Sequence, residues 1–129
     1  MENERYRILV ADDEQVVRDL FVRFLTREGY EVSAAFDGID ALDKIRRTPY
    51  NMLILDLRMP RMNGIELLDR VRDLDKSIII IAITGFAATK VAKAAIRKGC
   101  FGCIAKPFNI ENMRFVIRQA FETDAASRA

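Results

Sequence analysis

Four short apolar runs in this chain each end on residues able to do chemistry. Ile8-Leu9-Val10-Ala11 leads into Asp12-Asp13, Met52-Leu53-Ile54-Leu55 into Asp56, and Ile78 to Ile83 into Thr84. A weaker run, Phe101 to Ala105, leads into Lys106-Pro107. Runs this short, β-branched and uniformly apolar read as strands buried on both faces of a parallel sheet. Ligands of such sheets sit outside the carboxyl ends of the strands. The spacing therefore delivers three carboxylates, a hydroxyl and an ammonium to one edge, the makings of a divalent-metal and phosphoryl site.

Electrostatics narrows that reading. Two carboxylates about 4 Å apart repel by roughly 4 kcal/mol at an effective dielectric near 20. Three do not stay ionised together without a counter-charge. Mg²⁺ suits them, because it takes oxygen ligands, keeps waters and couples readily to phosphate, and Lys106 adds a further positive charge. The bland alternative for Asp12-Asp13 alone is solvation plus helix capping; Asp56, Thr84 and Lys106 at three other strand ends argue against it. The chain contains no histidine, which excludes a histidine base, metal ligand or phosphohistidine carrier within it.

Composition sets the frame. At 129 residues and 50% hydrophobic, the chain reads as one globular domain able to build a core without staples. A net charge of +2 is too small to imply nucleic-acid binding through bulk electrostatics. No apolar run approaches the ~20 residues of a membrane span, and the segment from Met1 to Arg5 lacks the apolar stretch of a signal peptide. The expected location is cytoplasmic.

Between the apolar runs lie segments of helical spacing. Val16, Val17, Leu20, Phe21, Phe24 and Leu25 form a double stripe closed by Gly29. Ile39, Leu42 and Ile45 mark a second helix after Asp37-Gly38, and Ile65, Leu68 and Val71 a third after Asn63-Gly64. Val91, Ala94, Ala95 and Ile96 give a fourth, stopped by Gly99. Met113, Val116, Ile117, Ala120 and Phe121 give a fifth, with Asn109 as its N-cap and Glu111 in its first turn. Tyr30 to Ala35 alternates as the remaining strand. Five strands alternating with five helices predict an α/β sandwich with right-handed crossovers. The expected core is about residues 6–121 of a single domain over 1–129, with a frayed tail over 122–129.

These residues resemble the response-regulator receiver domain of two-component signalling. The resemblance rests on Asp12-Asp13, on the segment from Leu53 through Asp56-Leu57-Arg58-Met59-Pro60-Arg61-Met62-Asn63-Gly64, on Thr84-Gly85 and on Lys106-Pro107-Phe108. It covers roughly Tyr6 to Phe121. It implies a flavodoxin-like, five-stranded parallel sheet of order 2-1-3-4-5 with helices on two faces. By the same resemblance Asp56 is the phosphoacceptor. Asp13, Asp56 and the backbone carbonyl of Arg58 ligate Mg²⁺, and Asp12 acts mainly through water. Thr84 hydrogen-bonds the phosphoryl group and Lys106 pairs with it. The implied donor is a histidine kinase or histidine phosphotransfer protein, and the implied output is contact with a downstream protein target. A cis Lys106–Pro107 peptide is also implied; from the residues alone, Pro107 reads as a helix-initiating turn.

The chain departs from the family at Cys103, where receivers place a Tyr or Phe three residues before the lysine. Phe101 shares that face of the strand but lies one step away. The expectation is that Thr84 displacement transmits the signal without an aromatic rotor. Cys100 and Cys103 have C-x-x-C spacing, but the chain offers neither the helix N-terminus of a redox motif nor four zinc ligands. They read as small apolar filling. Phe86 and Arg58 flank the expected path of an attacking water. Phe86 either caps a loop or hinders hydrolysis. Lys90, Lys93 and Arg97 share one face of the fourth helix, either solvated or docking an acidic partner.

The expected function is that of a stand-alone receiver. It accepts a phosphoryl group on Asp56 with Mg²⁺ and relays the signal through protein contacts, as a monomer or a weak phosphorylation-dependent dimer. It is not expected to be an enzyme beyond its own phosphotransfer and dephosphorylation, nor to bind membrane or nucleic acid directly. A Mg²⁺-dependent phospho-aspartyl phosphatase would carry Asp-x-Asp on the first strand, where this chain has Asp12-Asp13-Glu14. A flavodoxin-like nucleotide binder would want Gly, Ser and Thr in the first loop. A phosphorylation-independent interaction module would keep its output in Asp56→Asn.

Overall fold

A computed structural model describes residues 6–59, 62–85 and 90–128. Strands and helices alternate throughout: β1 (Arg7–Ala11), α1 (Gln15–Arg27), β2 (Glu31–Ala35), α2 (Gly38–Arg47), β3 (Met52–Asp56), α3 (Gly64–Leu74), β4 (Ile79–Thr84), α4 (Lys90–Arg97), β5 (Gly102–Ala105) and α5 (Ile110–Arg128). The five strands form one sheet in the order β2-β1-β3-β4-β5, and all four pairings are parallel. The fold is the flavodoxin-like α/β sandwich that the resemblance implied.

The uniform apolar character of the strands follows from burial on both faces. Every residue of β3 and β4 is buried. Alternation along each strand then divides the core in two. Leu9, Leu53, Leu55 and Ile80 pack with Leu42, Leu67, Leu68 and Val71 of α2 and α3. Ile8, Val10, Ile54 and Ile81 pack with Phe21, Leu25, Met113 and Ile117 of α1 and α5. The helices that carry a wide apolar stripe bury only part of it. Val16 and Ile39 are exposed, and α4 buries Ala92 and Ala95 while Val91 and Ile96 face outward. Small residues let α4 lie close to the sheet, and its bulkier neighbours are left on its flanks.

Helix ends follow their sequence signals. Gly29 adopts φ +99°, the left-handed conformation that terminates α1. Asp37 caps α2 by accepting from the Asp40 N–H at 2.8 Å. Asn63 accepts from the Glu66 N–H at 2.9 Å, and Asn109 from the Asn112 N–H at 2.6 Å. Helix α5 continues through Arg128, into the segment expected to fray. Thr123 to Ser127 are small or polar and mostly exposed, so composition gave no apolar stripe to signal it, while the helix of Met113 to Phe121 propagates through them at little cost.

Candidate functional site at the carboxyl edge of the sheet

Strand register brings the polar residues together. The Asp12 N–H donates to the Ala35 carbonyl at 3.1 Å, the Leu57 N–H to Ile83 at 3.0 Å, and the Lys106 N–H to Thr84 at 2.8 Å. These bonds extend β1, β3 and β5 one residue past their ends, and with Ala11 opposite Leu55 in the β1–β3 register they align the ends of β1, β3, β4 and β5. Asp12, Asp56 and Thr84 are buried there; Asp13 is exposed and Lys106 half-buried.

Two carboxylates use the same local device. Asp12 Oδ1 accepts the Glu14 N–H at 2.8 Å, and Asp56 Oδ1 accepts the Arg58 N–H at 2.9 Å. Each is an Asx turn, in which an aspartate bonds the backbone two residues on. The turn commits one oxygen of each carboxylate and leaves the other for the centre of the site. Lys106 Nζ donates to Asp56 Oδ2 at 3.1 Å and stands 3.8 Å from Asp12 Oδ2 and 3.6 Å from Glu14 Oε1. Asp12 Oδ2 is buried and accepts no hydrogen bond. The Lys106–Pro107 peptide is cis, as the resemblance implied.

Asp12, Asp13 and Asp56 each offer a carboxylate oxygen within 4.8 Å of the others. The electrostatics matches the crowding. Burial pushes the Asp12 carboxyl up to about 6, assisted by the negative charges of Asp56 and Asp13 and opposed by the Glu14 N–H and Lys106. Burial pulls Lys106 down, but its hydrogen bond to Asp56 and the charges of Asp12, Asp56 and Glu14 outweigh this and raise it. A buried carboxylate oxygen without a donor is a costly arrangement. A hard cation among the three aspartates satisfies it, so the donor set fits Mg²⁺.

Thr84 and Arg58 line a cleft of about 530 Å³ between α3 and α4, together with Leu57, Ile65 and Val91. Asp13, Arg58 and Asn63 border an adjoining hollow of about 420 Å³. Gly64 sets the wall. A Cβ there would lie 2.5 Å from Leu57 Cα and 2.9 Å from the Asp56 carbonyl oxygen, so only glycine lets α3 begin against the end of β3.

The description of the family whose model matches residues 8–118 is the response regulator receiver domain. The chain belongs to this family. It is similar to sporulation initiation phosphotransferase F of Bacillus subtilis, 31% identical over 119 residues that cover 92% of this chain and 94% of that protein. It is 35% identical to the response regulator MprA of Mycobacterium tuberculosis over 124 residues, 93% of this chain and 54% of MprA. The receiver thus spans nearly all of the first relative and about half of the second. A CheY-like receiver domain protein from Methanospirillum hungatei JF-1 superposes with a TM-score of 0.92 at 28% identity, covering 96% of this chain and 99% of that one. The protein is a two-component signalling receiver. Among the described residues, no helix is long and apolar enough to cross a membrane.

The remaining sequence candidates divide. In this receiver Cys100 lies in the core beneath α3 and α4, and Cys103 packs against the same cluster. Burial drives the Cys100 thiol up to about 12 against the pull of Arg72, and also raises Cys103. Both act as apolar filling. Lys90, Lys93 and Arg97 are exposed together on α4. Phe86, Pro60 and Arg61 lie outside the described residues. Sequence reasoning missed Glu14 as a neighbour of Lys106, and a glutamate following two aspartates carries no pattern that distinguishes it from a solvated helix start.

Proposed function

We propose that this receiver accepts a phosphoryl group on Asp56 from a phosphohistidine on a kinase or phosphotransfer protein, with Mg²⁺ bound by Asp13, Asp56 and the Arg58 carbonyl and reached by Asp12 through water. The observation that carries the reading is Asp12 Oδ2, buried and without a hydrogen-bond donor beside two further carboxylates. When bound, the cation neutralises charge on the transferring phosphoryl oxygens.

The chain's own residues do the rest. Asp56 is held by the Arg58 N–H and Lys106, which fixes its carboxylate for in-line attack. A carboxylate oxygen forms the new O–P bond while the P–N bond to the donor histidine breaks. The imidazole nitrogen leaves with the electron pair and takes up a proton. Lys106 then shifts its hydrogen bond from Asp56 to the phosphoryl oxygens, and the Thr84 hydroxyl donates to them from the end of β4. Catalysis is positioning and electrostatics, with no base required.

The product is an acyl phosphate, open to hydrolysis, so the protein serves as a timed signal in the cytoplasm. The signal leaves through altered contacts with a downstream protein, by Thr84 displacement without an aromatic at Cys103. Incubation with Mg²⁺ and acetyl phosphate, read by intact mass, tests the reading. One phosphoryl group is expected on the wild type and none on Asp56→Asn; an unmodified wild type, or a modified Asp56→Asn, overturns it.

A further inference from the structure

Glu14 occupies the N-cap of α1, a position where Ser, Thr, Asp or Asn accepts a backbone N–H of the first turn. Its side chain makes no such bond, and the first turn of α1 holds no acidic residue. The carboxylate turns the other way, to 3.6 Å from Lys106 Nζ. The ammonium that donates to Asp56 at 3.1 Å and stands 3.8 Å from Asp12 is thus shared with a third carboxylate. The Glu14 side chain is 63% exposed while those of Asp12 and Asp56 are 1% and 6% exposed. Two partners lie beneath Lys106 and one stands at the mouth.

We propose that Glu14 is a positioning residue that draws Lys106 toward the mouth of the site and so slows phosphoryl transfer to Asp56. The inference rests on the phosphoacceptor reading above. Charge carried outward to Glu14 is charge withheld from the phosphoryl oxygens. Drawing Lys106 outward also relieves its competition with a cation among Asp12, Asp13 and Asp56. One contact therefore slows phosphorylation while supporting metal binding. The Glu14 side chain can be changed without disturbing the turn beneath it, because the Asp12 carboxylate is held by the Glu14 backbone N–H.

The test compares wild type with Glu14→Gln and Glu14→Asp, using acetyl phosphate with Mg²⁺ for rates and calorimetric titration of Mg²⁺ alone for affinity. Glu14→Gln is expected to be phosphorylated about two- to fivefold faster and to bind Mg²⁺ about two- to fivefold more weakly, the range commanded by an exposed ion pair. Its melting temperature should not change. Glu14→Asp keeps the charge but loses the reach, and is expected to follow Glu14→Gln. A Glu14→Asp variant matching wild type overturns the inference, because charge at the mouth rather than contact with Lys106 would then govern. So does a Glu14→Gln variant that matches wild type in both readouts. A wild type that takes up no phosphoryl group overturns the phosphoacceptor reading itself, a separate result.

Discussion

Lys106 Nζ donates to Asp56 Oδ2 at 3.1 Å across fifty residues of sequence. The bond closes the carboxyl edge of the sheet and supplies positive charge where β1 and β3 bring carboxylates together. Asp12 and Asp56 are buried, so water does little to screen their repulsion. Without a bound cation, Lys106 is the charge that makes the cluster tolerable.

Lys106→Ala should therefore destabilise the metal-free protein by about 1–3 kcal/mol, as expected when a half-buried ion pair loses one partner. Mg²⁺ should restore more stability to this variant than to wild type, because the uncompensated aspartates then bind the cation more tightly. Chemical denaturation with and without Mg²⁺ measures both. A variant as stable as wild type in a chelating buffer would show that Lys106 is not the structural counter-ion.

Asp12 supplies a pH dependence whose sign is fixed by burial. Its carboxyl rises from 3.8 to about 6 in the folded protein, so the ionised form is disfavoured by folding. The stability linked to this group is fully present below pH 4 and is lost as pH rises through about 6. Asp12→Asn removes that loss. In chelating buffer it should be more stable than wild type at pH 7–8, by up to about 3 kcal/mol, with the difference vanishing below pH 4. Mg²⁺ affinity should run the opposite way in wild type and weaken as pH falls below about 6, because protonation of Asp12 removes negative charge beside the cation. Calorimetric titration at pH 5 and pH 7.5 checks the second arm.

The fold was legible because β3 and β4 carry no polar residue until their last. Met52 to Leu55 and Ile78 to Ile83 are buried on both faces, and such runs admit few architectures. The same boundary exposed Asp12, Asp56, Thr84 and Lys106, since the first polar residue after each run falls at the sheet's edge. Glu14 was not legible, because its meaning depends on a long-range contact with Lys106 and on a helix cap left unused. The face of α4 was also obscure. Val91 and Ile96 have the spacing of a buried stripe, yet Ala92 and Ala95 take the core side, a choice made by the depth of packing rather than by hydrophobicity. The end of α5 was hidden for the converse reason, since Thr123 to Ser127 have helical geometry but little to bury.

Cys100 makes the core sensitive to alkali. Burial lifts its thiol from 9.0 to about 12, so the unfolded chain ionises before the folded one. The stability linked to this group is complete below pH 9 and is lost progressively as pH rises toward 12. At pH 10.5 the loss should reach roughly 2 kcal/mol. Cys100→Ala should be less stable than wild type at pH 7, by about 1–2 kcal/mol for the vacated volume. Its stability should fall less between pH 7 and 10.5. Urea denaturation of both proteins at the two pH values isolates the thiol from the tyrosines and lysines they share. Parallel slopes would refute the assignment.

Gly64 links the packing of α3 to the placement of Asp56. Its N–H donates to the Leu57 carbonyl at 3.1 Å, and a Cβ would fall 2.8 Å from Leu55 Cδ1 as well as against the backbone of Leu57 and Asp56. The Leu55 methyl can yield; the two backbone atoms cannot without moving the strand end. Gly64→Ala should thus cost about 2–4 kcal/mol, the upper range of overpacking. It should also slow phosphorylation from acetyl phosphate by about tenfold or more, because sub-ångström displacement of a nucleophile costs orientation. Ile65→Ala, at the next position on the cleft wall, supplies a control that loses stability without pushing on Asp56. If the two variants, compared under conditions where both remain folded, retain equal phosphorylation rates, the glycine serves packing alone.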